Sequence, residues 1–160
     1  MLFCLFSCAM TAKRYADDVS ASASEFQVDP SLIFAICETE SHFNPQAKSS
    51  AGAIGIMQIM PETGKWIAEN LSFSDYREEV LSDPSINIRF GAYYLAYLSS
   101  LFSEFWQVIA AYNAGEGAVS LWIEKGISEE SIPFPETKRY VAKVKRAFAR
   151  YQEKISLLFD

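Results

Sequence analysis

Prolines mark the starts of three segments in which apolar residues recur with helical spacing. Pro30 and Pro84 each follow an aspartate, whose carboxylate can accept hydrogen bonds from the free N–H groups of a first helical turn. The proline ring fixes φ near a helical value, and Pro61 opens a third segment of this kind. No convincing run alternates apolar and polar residues with the period of two that is typical of strands. The sequence therefore predicts an all-α fold.

The spacing of apolar and helix-breaking residues predicts the bounds of the helices. We expect the helix that begins at Pro30 to end near Ser41, because Asn44-Pro45 cannot continue it. Gly126 is well placed to end a helix that starts near Ala118. A final amphipathic helix has a basic outer face. The predicted helices cover about residues 13–26, 30–41, 61 onward, 84 onward, 106–112, 118–125 and 138–158.

The helix that begins at Pro84 is expected to be the longest. An apolar stripe runs along it from Ile88 to Phe102. A second face carries four large side chains, Phe90, Tyr94, Tyr97 and Leu101. The two faces together predict a helix that is buried on most sides.

Length and charge limit the class of protein. A chain of 160 residues has room for one domain, and a hydrophobic content of 50% is enough for a core. Fourteen basic residues against 20 acidic ones give a net charge of −6. This balance argues against a nucleic-acid partner, because such proteins present a basic face. A neutral or cationic substrate, such as a sugar or peptide polymer, is compatible with it.

The side chains that bind metals are few. The cysteines are Cys4, Cys8 and Cys37, and the single histidine is His42. A closed zinc site takes about four such ligands at close spacing, so we expect no metal and no cofactor. Cys37 lies in an apolar run and is predicted to be a small buried residue.

Residues 1–12 form an apolar segment that precedes the predicted domain of residues 13–160. The segment is shorter than the about 20 residues that span a bilayer, and Lys13 and Arg14 follow it rather than precede it. We interpret it as a truncated export signal. A lipoprotein cleavage box at residues 5–8 and an amphipathic start of the first helix are the alternatives.

One carboxylate falls where a helical wheel predicts apolar contacts. Glu40 lies on the side of the wheel that carries Ile33, Ile36 and Cys37. Glu38 lies on the opposite side, and we expect its replacement by Gln to have almost no effect on the rate. Burial without a partner raises the pKa of a carboxyl group, which suits a general acid near neutral pH. Alternatively, Glu40 frays at the helix end or forms a structural salt bridge.

Several blocks of sequence carry a resemblance to one enzyme family. They are Glu40-Ser41-His42-Phe43-Asn44-Pro45, then Ala47, Ser49 and Ala51-Gly52-Ala53, Gly55-Ile56-Met57-Gln58-Ile59-Met60-Pro61 with Thr63, Asn87-Ile88 with Gly91 and Tyr94-Leu95, Ala110-Ala111-Tyr112-Asn113-Ala114-Gly115 and Glu136-Thr137-Lys138-Arg139-Tyr140-Val141. The blocks occur in the family's order and span about residues 25–148. The sequence resembles the catalytic domain of the soluble lytic transglycosylases, lysozyme-like enzymes that cut bacterial peptidoglycan.

The resemblance implies a lysozyme-like helical domain with a groove for the glycan strand. It implies that Glu40 is the catalytic acid in cleavage of the bond between N-acetylmuramic acid and N-acetylglucosamine. The family's reaction consumes no water and leaves a 1,6-anhydromuramic end. A glycoside hydrolase uses two carboxylates, whereas an intramolecular hydroxyl nucleophile removes the need for the second.

Other residues of the blocks are candidates for substrate contact. Gln58 offers a donor and an acceptor for acetamido groups, or closes its loop by a hydrogen bond. Tyr112 is expected to orient the sugar or the Glu40 carboxyl, and Tyr140 either points into the site or packs the last helix. Glu136 is expected to have a structural or substrate-positioning role.

Three further candidates have equally plain alternatives. Ser49 either contacts the substrate or turns the chain. Met60 either floors the groove or joins the core. Asn113 either binds substrate or caps its helix. Glu62 and Glu116 fit solvated or capping roles, although Glu116 stands where the family frequently has proline.

The function that fits these residues best is that of a peptidoglycan lytic transglycosylase. A goose-type-like muramidase that hydrolyses the same bond, a glycan-binding scaffold and a helical domain with accidental matches are the alternatives. We expect a monomer in the cell envelope outside the cytoplasm, with glycan strands as its partner. The acidic charge offers little attraction to anionic wall polymers. A cell-envelope protein, an anchor or the N-terminus would therefore bring the enzyme to the wall.

Overall fold

Helices account for the regular secondary structure of residues 11–159, the part of the chain that the computed structural model describes. Residues 1–10, which contain most of the segment interpreted as an export signal, lie outside the described residues. The α-helices are α1 (Ala16–Phe26), α2 (Pro30–Ser41), α3 (Pro61–Asn70), α4 (Pro84–Leu101), α5 (Phe105–Ala114), α6 (Glu116–Glu124) and α7 (Pro135–Phe159). Short 3-10 helices cover Glu78–Ser82 and Glu129–Ser131. The prediction of an all-α fold is confirmed.

The proline signals begin the helices as predicted. The Asp29 carboxylate accepts a hydrogen bond of 2.7 Å from the Ser31 N–H at the start of α2. At the start of α4 the Asp83 carboxylate accepts from two successive N–H groups at 2.9 and 3.1 Å. Gly126 has φ +68 and follows Lys125, the residue that caps the end of α6, so the predicted glycine stop is confirmed.

The prediction that α4 is the longest helix is wrong. It has 18 residues, whereas α7 has 25 and begins at Pro135 rather than Lys138. The Lys138 N–H bonds the Phe134 carbonyl at 2.9 Å, which closes a helical turn before the predicted start. Helix α4 is buried or partly buried along most of its length, as predicted, and Leu101 at its end is half exposed.

Helix α2 occupies the centre of the fold. Its residues from Ser31 to Cys37 are all buried, and α7 packs more extensively against it than any other helix does. Burial therefore extends around α2 and is not confined to the side of the helix that carries Ile33, Ile36 and Cys37. Cys37 is a buried free thiol, as predicted.

The loop between α2 and α3 is held in place by Asn87, a fully buried residue of α4. The Asn87 side chain accepts a hydrogen bond from the Met57 N–H at 2.8 Å. It donates to the carbonyl groups of Ile54 and Leu81 at 3.0 and 2.8 Å. Gly55 lies against this amide with φ +85, and a Cβ there would be 2.2 Å from the Leu81 oxygen. The loop therefore requires glycine at this position.

None of the helices in residues 11–159 has the length and hydropathy needed to cross a membrane.

Candidate active site

The carboxyl group of Glu40 lies at the C-terminal end of α2, where α5, α7 and the loop before α3 converge. The Tyr140 hydroxyl, from α7, donates a hydrogen bond of 2.6 Å to Glu40 Oε1. Tyr140 is 8% exposed, so the bond lies at the edge of the core. The alternative in which Glu40 frays is excluded by this bond, and Tyr140 reaches the site as predicted.

Burial governs the protonation of Glu40. Loss of hydration raises the pKa of the carboxyl group to about 7, against the opposing effect of the Tyr140 hydrogen bond. No second carboxylate is among the causes of this shift within residues 11–159. The group can therefore hold a proton near neutral pH and release it with little cost, which is what general acid and base catalysis require.

Tyr112 supports the loop that faces Glu40. Its hydroxyl donates a hydrogen bond of 2.9 Å to the Met57 carbonyl, so in this structure it orients the loop rather than the Glu40 carboxyl. Burial, together with the charge of Glu40, raises the pKa of Tyr112. The same two causes raise the pKa of Tyr140. Both tyrosines consequently stay protonated and act as hydrogen-bond donors.

Ser41 ties the end of α2 to the same loop, a role that sequence reasoning missed. Its hydroxyl lies 2.7 Å from the Ile56 carbonyl and accepts from the Asn44 N–H at 3.1 Å. The role of Asn87 in holding the loop was also missed, because a sequence motif does not show which backbone groups a buried amide contacts. A small hydroxyl residue next to the candidate acid, and an Asn in a helix of apolar residues, were the available signals.

The side chains of Gln58 and Ser49 close turns in the loop before α3. The Gln58 amide nitrogen donates to the carbonyl groups of Ala47 and Gly55 at 3.1 and 2.8 Å. Gln58 itself has φ +52, a backbone conformation that costs free energy in residues other than glycine. The Ser49 hydroxyl accepts from the Ala53 N–H at 3.0 Å. For both residues the structure contains the interaction proposed as the alternative to substrate contact.

Met60 and Asn113 are both exposed at the surface. Met60 is 41% exposed directly before α3, so it does not join the core. Asn113 lies inside α5 and does not cap it, because Gly115 follows the last residue of that helix. The Thr137 hydroxyl donates to Asn113 Oδ1 at 2.8 Å, which joins α5 to α7. Glu136 is exposed in the first turn of α7.

The Glu38 carboxylate has two partners on α7. Arg150 lies 2.5 Å from one carboxylate oxygen, and the Tyr151 hydroxyl donates to the other at 2.6 Å. Helix α7 thus covers the side of α2 that carries Glu38. His42 is exposed beyond the end of α2, with φ +53.

Among residues 11–159, no group of three or more histidine, cysteine, aspartate or glutamate side chains is placed to hold a metal ion.

Residues 18–133 match the family of the transglycosylase SLT domain. The chain therefore belongs to this family. The match covers α1 to α6 and includes Glu40, whereas Tyr140 lies beyond it.

Bacterial enzymes that act on murein are among the similar proteins. The soluble lytic murein transglycosylase of Salmonella typhimurium is 39% identical over 136 residues, which are 78% of this chain and 21% of the relative. The membrane-bound lytic murein transglycosylase C of Edwardsiella ictaluri is 38% identical over 125 residues, 68% of this chain and 33% of the relative. The chain thus spans about a fifth to a third of the length of these relatives.

Solved structures of lytic transglycosylases have the same fold. The 70 kDa soluble enzyme of Escherichia coli superimposes with a TM-score of 0.83 at 37% identity, over 88% of this chain and 24% of that one. It has also been solved in complex with bulgecin A. Slt of Pseudomonas aeruginosa was solved as an inactive mutant in which glutamine replaces a glutamate. It superimposes with a TM-score of 0.82 at 34% identity, over 88% of this chain and 24% of that one.

Proposed function

We propose that this domain is a lytic transglycosylase that cleaves the bond between N-acetylmuramic acid and N-acetylglucosamine in peptidoglycan without consuming water. The observation that carries the proposal is the Glu40 carboxyl group, which is partly buried, accepts a hydrogen bond from Tyr140 and has a pKa raised to about 7. Membership of the SLT family and the names of the relatives support the class of reaction.

Glu40 acts first as the acid in this mechanism. Its proton passes to the glycosidic oxygen as the bond between that oxygen and the anomeric carbon breaks, and N-acetylglucosamine leaves with a free 4-hydroxyl. The resulting carboxylate then takes the proton of the muramic acid 6-hydroxyl, whose oxygen bonds the anomeric carbon. The proton count of the enzyme is restored, and the product has a 1,6-anhydromuramic end.

A pKa near 7 suits both steps. A lower pKa would leave the group deprotonated before the first step, and a higher one would weaken the carboxylate as a base in the second. Tyr140 is a positioning residue in this account, because its hydroxyl holds one carboxyl oxygen and leaves the other to face the substrate. The inactivity of a Pseudomonas relative with a Glu-to-Gln replacement agrees with an essential carboxyl group in this class.

The remaining candidates for substrate contact fit supporting roles in the proposal. Met60 is exposed and can contact a sugar ring at the groove. Gln58, Ser49 and Tyr112 shape the loop that would face the strand. Asn113 lies at the surface of α5 within reach of the start of α7. Names of relatives as soluble and as membrane-bound murein enzymes support a location in the cell envelope, with the glycan strand as the ligand.

Replacing the acid tests the proposal. We expect Glu40→Gln to keep the fold and to lower the rate of release of soluble fragments from purified peptidoglycan by about 10²- to 10⁴-fold, since that is the usual worth of a positioned proton donor. Glu38→Gln is the matched control, with the same change two residues away on α2, and should retain the wild-type turnover at a temperature at which it is folded. An equally active Glu40→Gln enzyme would refute the mechanism.

A further inference from the structure

A cavity of about 320 Å³ opens between α3, α4 and the first residue of α6. It is open to solvent and has six lining residues, Glu62, Thr63, Trp66, Tyr94, Tyr97 and Glu116. Three of these are aromatic and two are carboxylates. None of them was assigned a functional role from the sequence.

Helical spacing brings these side chains to one side. Glu62 and Trp66 are four residues apart on α3, and Tyr94 and Tyr97 are three apart on α4, so each pair shares a face of its helix. Glu116 completes the wall as the first residue of α6.

The aromatic rings form a partly covered platform. The Trp66 ring lies 4.8 Å from Tyr97 and 6.4 Å from Tyr94, edge to face in both cases. The two tyrosine rings are nearly parallel, with centroids 6.2 Å apart. All three residues are half-buried, so their rings can contact a group that enters the cavity.

The electrostatic environment of the cavity is negative. Burial and the charge of Glu116 raise the pKa of Tyr94 to about 12. Hydrogen bonding with Glu116, burial and the charge of the same carboxylate raise the pKa of Tyr97. Aromatic faces together with carboxylates favour an organic cation, since ring quadrupoles and negative charges attract the same group.

We propose that this cavity binds a primary ammonium group on the peptide that substitutes the muramic acid of the substrate. The proposal rests on the proposed function, because the amine is taken to be part of the peptidoglycan substrate. The cavity is close to the candidate acid, since Tyr94 contacts Tyr112 with ring centroids 5.5 Å apart, and Tyr112 responds to the charge of Glu40. A strand whose sugar contacts Glu40 can therefore place a peptide amine beside Glu116.

Titration with small ligands tests the chemistry of the cavity independently of catalysis. The probes are N-α-acetyl-lysine amide and its ε-N-acetylated form, which lacks the positive charge, followed by the NMR signal of the Trp66 indole N–H. We expect a saturable shift with the charged probe alone. Glu116→Gln should weaken that affinity about fivefold, the size of one exposed charge interaction. Glu124→Gln, with the same charge change on the exposed end of α6, should leave it unaltered.

A soluble muropeptide with a free amine, titrated into the Glu40→Gln protein, tests the source of the ammonium group. We expect it to bind about tenfold more tightly than the lysine amide, since sugar and amine are held together, and to lose that gain on acetylation. Equal shifts from both small probes, or no effect of Glu116→Gln, would overturn the cavity proposal. A muropeptide whose affinity does not change when its amine is acetylated would overturn the proposal that the ammonium group belongs to the wall peptide. A Glu40→Gln enzyme that is as active as the wild type and still binds the lysine probe would instead refute the role proposed for Glu40 and leave the cavity proposal standing.

Discussion

At the scale of single residues, the site depends on two opposing effects on the Glu40 carboxyl group. Burial favours its neutral form, and the hydrogen bond from Tyr140 favours its charged form. The Tyr140 hydroxyl stabilises the charged form of Glu40 and lowers its pKa, while loss of hydration raises the pKa by more. The balance places the pKa at about 7. Removing either influence should move the pH at which the enzyme loses its acid.

Tyr140→Phe removes the bond that lowers the Glu40 pKa. We therefore expect the alkaline limb of the profile of kcat/KM against pH, which reports the free enzyme's acid, to move above the wild-type value of about 7. Tyr151→Phe, which removes a hydroxyl from Glu38 instead, is the control and should leave the limb in place. An unmoved limb in Tyr140→Phe would show that the hydrogen bond does not set the pKa of the acid.

Glu38 shows why the sequence identified one carboxylate of α2 better than the other. The helical wheel placed Glu40 among apolar residues, and the family motif pointed to the same residue. Nothing local to α2 indicated that residues 150 and 151, more than a hundred positions away, would cover Glu38. Side chains whose environment comes from distant parts of the chain are the ones that a local pattern describes poorly.

The pairing of Glu38 predicts a loss of stability without a loss of chemistry. Glu38→Ala leaves Arg150 and the Tyr151 hydroxyl without this half-buried carboxylate. We expect the free energy of unfolding, measured in urea, to fall by about 1–3 kcal/mol. Turnover by the folded fraction should match the wild type, and a large fall in turnover would mean that Glu38 acts on the site.

At the scale of elements, helices and loops differed in how well the sequence predicted them. Aspartate and proline signals fixed the starts of α2 and α4, because a helix start is satisfied by its own neighbouring residues. The loop between α2 and α3 takes its shape from Asn87, 30 residues beyond Met57. Its Gln58 amide consequently closes the loop, which is one of the two roles that the sequence left open for this residue.

Asn87→Ala tests whether that loop depends on the buried amide. The substitution leaves the Met57 N–H and the carbonyl groups of Ile54 and Leu81 without their shared partner. We expect the free energy of unfolding to fall by about 3–5 kcal/mol, as for a buried hydrogen-bond network that loses its centre. Asn70→Ala, which removes a single exposed bond to Trp66, should cost under about 1 kcal/mol. Comparable losses in the two variants would contradict this role of Asn87.

At the scale of the whole molecule, the candidate acid makes stability depend on pH. The folded protein keeps the Glu40 proton up to about pH 7, whereas the unfolded chain releases it near the usual value of 4.5. The folded state therefore binds more protons between these values, and Glu40 causes the free energy of unfolding to decrease as the pH rises through that window.

Glu40→Gln should abolish this contribution. We expect the variant to resemble the wild type in stability at pH 4 and to exceed it by about 2–3 kcal/mol at pH 8, where the wild type holds a buried charge. Urea unfolding of both proteins at the two pH values measures the difference in the free energy of unfolding. The other ionisable groups are the same in both proteins, so their contributions cancel in this difference. A variant that is less stable at pH 8 would contradict the raised pKa.

The product of cleavage tests the central claim most directly. Purified peptidoglycan is digested with the wild type and with Glu40→Gln, and the fragments are analysed by mass spectrometry. We expect 1,6-anhydromuramic ends from the wild type and a strongly reduced yield of them from the variant. Reducing ends, heavier by one water, would contradict the account and identify the domain as a hydrolase.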